Sequence, residues 1–474
     1  MIVKEMNKKK ELIKNTIIIF LGKFSTQFLT FFLLPLYTKF LDSSDYGTID
    51  LIMTYITLFV PVLTIQYEMG TFRYLIDNRN NQKQQNKIIY NSLRFFLNIT
   101  LLCLTIAFLL PFVISIKNFC YIIICIVAMM YSNLLMQIAR GLGKNIDYSI
   151  TCFIVGISNI ILNIVMIIVL KFDGKSILIS SFLSNIIGAL YLFIKLKIYK
   201  NISKKLTDSN ITKDIIKYSW PLVPNTISWW LINASDRTIV TFLISSSANG
   251  IYAISTKFSA IISSILNIFN LSWTESASLY IDDDDRDEFF SNVNDDILRL
   301  MSSVCILLIS FMPILFSIFI NEKYIEAYKY IPINILASFF NCIVSIYSSI
   351  YVAKKMTKQV ASTSFLAALI NIVVDLVLIK FIGLYAAALS TAIAYIVMSI
   401  YRSIDLRKII KIKYDKKLLL SIILVFTLSI LLYYQKNIIF IILNMIIAVL
   451  YSIVVNKKII ILIKDKTKKL VLKK

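Results

Sequence analysis

The chain has 474 residues, 58% of them hydrophobic, with 50 Lys and Arg against 27 Asp and Glu and a net charge of +23. Soluble domains are about 45 to 50% apolar, so this composition excludes a water-soluble globular protein, and the basic excess has no soluble scaffold on which to form a nucleic-acid-binding face. Histidine is absent and the six cysteines, at 103, 120, 125, 152, 305 and 342, each sit inside an apolar run, which excludes a Cys/His metal cluster and a disulfide framework.

Apolar runs long enough to cross a hydrocarbon core of about 30 Å follow one another from end to end. The first lies near 14–41, behind Lys8, Lys9 and Lys10. It resembles a signal peptide at its start but continues past Leu33 without a small-residue cleavage site, so it reads as a retained helix. Five more follow near 47–68, 88–115, 118–140, 148–171 and 175–198. A second set of six runs near 219–244, 250–281, 295–320, 326–352, 359–381 and 383–405, and a last pair near 416–434 and 437–455. The predicted fold is an all-α integral membrane protein of about 14 transmembrane helices. No stretch is left over for a separate soluble domain.

Lys and Arg are retained on the cytoplasmic side during insertion. With the N-terminus inside, alternate loops and tails hold roughly 39 of the 50 basic residues; the opposite orientation would reverse that asymmetry. Both termini are therefore expected in the cytoplasm. The basic clusters at 195–217, 402–417 and 457–474 read as orientation signals that also attract anionic membrane lipids. The acidic run Asp282 to Asp285 reads as a solvated loop, and the absence of a Gly-rich phosphate loop leaves no sign of a built-in ATPase.

Two segments echo one another. Asn163-Ile164-Val165 leads to Lys171-Phe172-Asp173-Gly174, and Asn371-Ile372-Val373 leads to Lys380-Phe381-Ile382-Gly383. A weaker echo pairs Tyr46-Gly47 with Gly250-Ile251-Tyr252. Six spans separate the copies, so they share one orientation. The expectation is two pseudo-symmetric six-helix lobes, 1–205 and 206–415, with substrate between them, followed by the final helix pair and a basic tail at 416–474.

A charge in mid-membrane costs about 2.5 to 3.5 kcal/mol on insertion scales, so each exception needs a cavity or a partner. On the seventh span Asn225, Trp229, Asn233, Asp236 and Arg237 share one helical face. Lys23 and Gln27 mark the first span, Lys257 the eighth, and Asp50, Thr54, Thr57 and Glu68 form a stripe around Pro61 on the second. Lys23, Arg237 and Lys257 are the expected cations of a lumen for an anionic substrate such as a diphosphate, with Gln27, Asn225, Trp229 and Asn233 beside them. The bland alternative is that Arg237 pairs with Asp236 or Asp375 and fixes helix packing. Asn371 and Asp375, one turn apart on the eleventh span, are with Asp236 the candidates for a coupling Na+ or H+; interhelical hydrogen bonding explains them equally well.

In order and spacing, several pieces resemble the polysaccharide branch of the multidrug/oligosaccharidyl-lipid/polysaccharide exporter superfamily, the Wzx-type flippases. They are Asn15-Thr16 with Pro35, Asp45-Tyr46-Gly47, Glu68 with Arg73-Tyr74, Trp220-Pro221-Leu222-Val223-Pro224, Asp236-Arg237, Gly250-Ile251-Tyr252-Ala253, and Gly383-Leu384-Tyr385-Ala386-Ala387-Ala388. The resemblance covers nearly the whole chain. It implies a bacterial plasma-membrane transporter, not an enzyme and without a cofactor. Such a transporter moves an undecaprenyl-type lipid-diphosphate oligosaccharide to the outer leaflet by alternating access. Glu68 and Arg73 would form a cytoplasmic gate, and the pathway's polymerase and glycosyltransferases would be partners. Two other readings compete. A multidrug extruder of the same superfamily would want an acidic lumen, and a membrane polymerase or glycosyltransferase would want a large outer loop.

Overall fold

The computed structural model describes residues 22, 31–109, 119–201, 206–435, 437–457 and 461. Most of the predicted first span, with Lys23 and Gln27, lies outside them. The described residues form helices and no strand, as a chain buried in lipid must when every backbone polar group is satisfied within its own segment. They divide into two compact units, Met1–Gly250 and Ile251–Lys474.

The first unit runs through α1 (Leu34–Phe40), α2 (Ser43–Leu63), α3 (Tyr67–Asp77), α4 (Gln82–Leu109), α5 (Phe119–Gly141), α6 (Asn145–Ile164), α7 (Lys175–Lys195), α8 (Ser209–Ser219) and α9 (Leu222–Leu243), and includes the start of α10 (Ser246–Tyr280). The second holds the rest of α10, then α11 (Arg286–Phe319), α12 (Ile331–Ala353), α13 (Thr357–Ile382), α14 (Tyr385–Leu406), α15 (Lys416–Tyr433) and α16 (Ile438–Val455). Eleven described helices are long and apolar enough to cross a membrane. The seventh and eighth predicted spans are also helices, α9 of 22 residues and α10 of 35.

In the first unit a core of Ile56, Phe96, Met130, Leu134, Ile138, Leu178 and Leu192, all fully buried, joins α2 and α4 to α5 and α7. The predicted stripe on the second span is not continuous. Pro61 supplies no N–H to the helix, and Ile65 and Gln66 then adopt left-handed φ of 52° and 51°. The Gln66 N–H turns back to the Pro61 carbonyl at 3.0 Å. α2 therefore ends at Leu63, and Glu68 opens a separate helix instead of extending the Asp50 stripe. Two left-handed non-glycine residues cost on the order of 1–3 kcal/mol each, so the bend is held by its surroundings. Part of the hold is the Gln66 side chain, which donates to Thr226 Oγ1 on α9.

α8 is amphipathic, burying Ile211 and Ile215 while Lys213 and Lys217 stay exposed. Asp208 caps its first turn by accepting from the Asn210 N–H at 3.2 Å, and Lys87 on α4 reaches that carboxylate at 3.4 Å.

In the second unit the run Ala386-Ala387-Ala388, with Ala392 and Ala394, lets α14 lie close against α12 and α13. The final pair docks on α11 through hydroxyls and amides. Ser310 meets Ser429 at 3.1 Å and Asn444 Oδ1 at 2.9 Å, and the Asn444 amide donates to the Ser429 carbonyl at 3.0 Å. Near one end of the pair, the Tyr433 ring stacks on Tyr328 at 4.2 Å.

Candidate functional site

The first unit contains a buried ion pair in a membrane-spanning segment. Arg237 on α9 approaches the Asp50 carboxylate on α2 at 3.2 Å. The same guanidinium nitrogen donates to Thr54 Oγ1 at 2.7 Å, and that hydroxyl donates to the Asp50 carbonyl at 2.7 Å. Asp50 and Thr54 lie one helical turn apart, so both face α9. The Trp230 indole N–H donates to the Thr54 carbonyl at 3.0 Å, and the Tyr55 hydroxyl shares a 3.0 Å hydrogen bond with Thr238. With Gln66 against Thr226, α9 is tied to α2 and the bend that follows it at three levels.

The pair is deep but not sealed, since the Arg237 side chain keeps 20% of its surface accessible and Asp50 only 7%. A buried charge pair stabilises little over an apolar contact once desolvation is counted, and it becomes costly when one member is removed. It also leaves a cation within reach of an anion able to compete for it.

The face predicted on the seventh span is divided. At about 100° per residue, Asn225, Trp229 and Asp236 lie on one side of α9, whereas Arg237 falls with Thr226 and Trp230 toward α2. Asn225 is exposed, Trp229 half-buried and Asp236 buried at 3%; the Asn233 side chain lies outside what is described. Arg237 pairs with Asp50, a carboxylate that the sequence places on the second span. Sequence reasoning placed Asp50 on a stripe but did not match it to Arg237, because pairing across 187 positions has no local signal. Two opposite charges lost in two apolar spans were the only clue.

Glu68 and Arg73 do not meet across a common face. Arg73 pairs on the surface with Asp77 at 3.3 Å, while Glu68 is 6% exposed and turned inward. Burial raises the Glu68 carboxyl above the usual carboxylate range, partly offset by hydrogen bonds to its own backbone and to Thr64.

The second unit holds the remaining candidates. Lys257 is half-buried on α10. Asn371 on α13 is fully buried and donates to Ser390 and Thr391 on α14 at 3.3 and 3.1 Å, with Asp375 fully buried one turn on. The sequence echo of Asn371 has a counterpart in the first unit. Asn163 on α6, also fully buried, donates to the Asn159 carbonyl at 2.8 Å, and Asn159 reaches Ser184 on α7 at 3.4 Å.

One cation of the predicted basic clusters has a different role. Arg402 is fully buried on α14 and donates to the carbonyls of Val344 (3.0 Å) and Val360 (3.3 Å), to Thr363 Oγ1 (2.7 Å), to Ser364 (3.2 Å) and to Ser348. It ties α12, α13 and α14 together instead of facing a membrane surface. In the acidic run, Asp282 pairs with Lys354, which holds its carboxyl below the usual range.

A sequence profile of the polysaccharide biosynthesis protein family matches residues 12–273. Among solved structures, the lipid II flippase MurJ in an inward closed conformation superposes with a TM-score of 0.72 at 17% identity, over 94% of this chain and 100% of that one. A multidrug resistance MATE family transporter of the MOP superfamily, inward-facing, superposes with a TM-score of 0.67 at 11% identity, over 81% of this chain and 95% of that one. The Vibrio cholerae MATE transporter VcmN, as a point mutant, gives 0.57 at 12% identity, over 84% and 97%. No curated protein matches the chain. At these identities the structural likenesses speak for the fold.

Proposed function

The chain belongs to the polysaccharide biosynthesis protein family and has the fold of the multidrug/oligosaccharidyl-lipid/polysaccharide exporters, and from that premise we propose that it is a flippase for lipid-diphosphate-linked oligosaccharide. The observation that carries this reading is Arg237, a guanidinium deep in a multi-pass membrane protein that pairs with the Asp50 carboxylate, donates to the Thr54 hydroxyl and is still partly accessible. A diphosphate offers more charge and more acceptor oxygens than Asp50. Its arrival would draw the planar fork of Arg237 away from Asp50, while Thr54 and Trp230 keep α9 in register. The lipid tail stays in the bilayer. Lys23 and Lys257 are the other candidate cations for the substrate, and Gln27, Asn225, Trp229 and Asn233 the candidate polar groups.

Energy comes from the membrane potential, from downhill use of the product, or from a coupling Na+ or H+, for which Asp236 is the candidate in the first unit and Asn371 with Asp375 the candidates in the second. Glu68 and Arg73 act separately at the inner end, the first buried at the α2–α3 bend and the second at the surface. The protein resides in the bacterial plasma membrane with both termini in the cytoplasm, receives its substrate from membrane glycosyltransferases and delivers it to a polymerase. The test is an inside-out vesicle assay that follows an undecaprenyl-diphosphate oligosaccharide into the lumen with and without this chain. Protein-dependent transfer supports the flippase. Efflux of an organic cation, with no transfer of any lipid-linked sugar, would replace it with a multidrug extruder.

A further inference from the structure

The end of α5 gathers cations that have no counter-charge. The Gly143 N–H bonds back to the Arg140 carbonyl at 2.9 Å and the Lys144 N–H to the Ala139 carbonyl at 2.8 Å, while Gly143 takes a left-handed φ of 77°. Helices commonly stop at a glycine in this way. Arg79, from the turn between α3 and α4, covers the carbonyls at that end, its Nε donating to Gly141 at 3.0 Å and its Nη2 to Arg140 at 3.3 Å. The Arg79 guanidinium is thereby fixed beside the residue that carries a second one.

The Arg140 guanidinium lies over the Phe72 ring of α3 at 4.6 Å and 5.6 Å from the centre of the Tyr148 ring of α6. Its Nη1 donates to Gln137 at 3.0 Å, whereas Nε is buried without a partner and Nη2 makes no hydrogen bond among the described residues. Stacking fixes the plane of the group and leaves its edge for an acceptor, and the Nε–Nη2 edge can offer two parallel N–H groups to one phosphate. Lys144, exposed, follows Gly143 directly. The nearby carboxylates are engaged elsewhere, Asp77 with Arg73 at 3.3 Å and Asp147 against Tyr191 on α7. Capping explains Arg79, but it does not explain why Arg140 keeps an edge unpaired beside it.

This turn belongs to an inner loop by the charge asymmetry, where lipid phosphates lie at the membrane surface. A diphosphate suits the group better than a phosphodiester, because it carries charge on both phosphorus centres and can meet two guanidiniums and an ammonium together. Phe72 also places the group on α3, the helix that the bend at Gln66 joins to α2 and ties to α9. A headgroup held here stands at the inner end of the elements that carry Asp50 and Arg237.

We propose that Arg79, Arg140 and Lys144 form an inner-face loading site for the diphosphate of the lipid-linked substrate, separate from Arg237 and occupied before it. The proposal rests on the flippase reading and adds a first capture step to it.

The test is equilibrium binding of radiolabelled farnesyl diphosphate, a short lipid diphosphate, to the full chain in detergent, with Arg237→Gln as background to remove the deeper cation. Expected is saturable binding that weakens about tenfold or more with Arg140→Gln and about threefold with Lys144→Gln. Lys144 is exposed, so its variant keeps the fold if the other does not. Binding unchanged in both variants overturns the site. Displacement by phosphatidylglycerol in mixed micelles as readily as by inorganic pyrophosphate would make it a general phospholipid site and overturn the diphosphate assignment. In proteoliposomes, with Arg237 intact, both variants should raise KM for an undecaprenyl-diphosphate disaccharide and keep kcat; a fall in kcat with KM unchanged would overturn the capture step. If the unsubstituted chain transports nothing while farnesyl diphosphate binds with these losses, the flippase reading fails and the diphosphate site stands.

Discussion

At the scale of residues, Arg237 and Asp50 separate stability from transport. Arg237→Gln leaves Asp50 buried without its ion partner and should lower stability by about 1–3 kcal/mol, read as a fall in Tm in detergent. Asp50→Asn in the same chain should restore most of that loss. Transport should not return with it, because the group that competes for phosphate is still missing; recovery of both together would reduce the pair to a packing element. Glu68 makes a different prediction. Its folded-state pKa is raised by burial, so the unfolded chain gives up that proton first, and stability falls as pH rises from about 4.5 toward the raised value. Glu68→Gln should therefore raise Tm at pH 7 and change it little at pH 4, where the carboxyl is protonated in both states. Equal gains at both pH values would mean that ionisation is not the source.

At the scale of elements, Arg402 shows how a side chain can be misplaced by its company. It stands among the basic residues that close the twelfth span, and spacing alone groups it with them. α14 turns it inward, where its five N–H donors meet carbonyls and hydroxyls from α12 and α13. Lysine has no such fork. Arg402→Lys should cost about 2–4 kcal/mol of stability in detergent, whereas Lys408→Ala, on an exposed residue six positions on, should cost well under 1 kcal/mol. The α2–α3 bend is a second case. Pro61 was visible as a local break, but Ile65 and Gln66 are not residues that announce a left-handed turn, and the Gln66 bond to α9 that helps hold them comes from more than 150 positions away.

At the scale of the whole molecule, the positive-inside asymmetry makes a prediction that does not depend on substrate. Single cysteines at Ser44, in the first turn of α2, and at Lys213 on α8 should be labelled from opposite sides by an impermeant maleimide, Ser44→Cys from outside intact cells and Lys213→Cys only after the membrane is opened. The reverse pattern would invert the topology and with it the direction of transport.

Composition and hydropathy were enough to determine a multi-pass helical membrane protein, because a bilayer leaves a backbone few ways to satisfy its hydrogen bonds and the apolar runs had no other use. The same reading marked polar residues on the first, second, seventh, eighth and eleventh spans, and the order of short motifs pointed to the superfamily. Which charge meets which was decided only in three dimensions. Asp50 with Arg237 and Arg402 inside its own unit both depend on how helices are turned about their axes. That rotation is set by packing summed over many distant side chains, and a linear pattern of apolar and polar residues does not contain it.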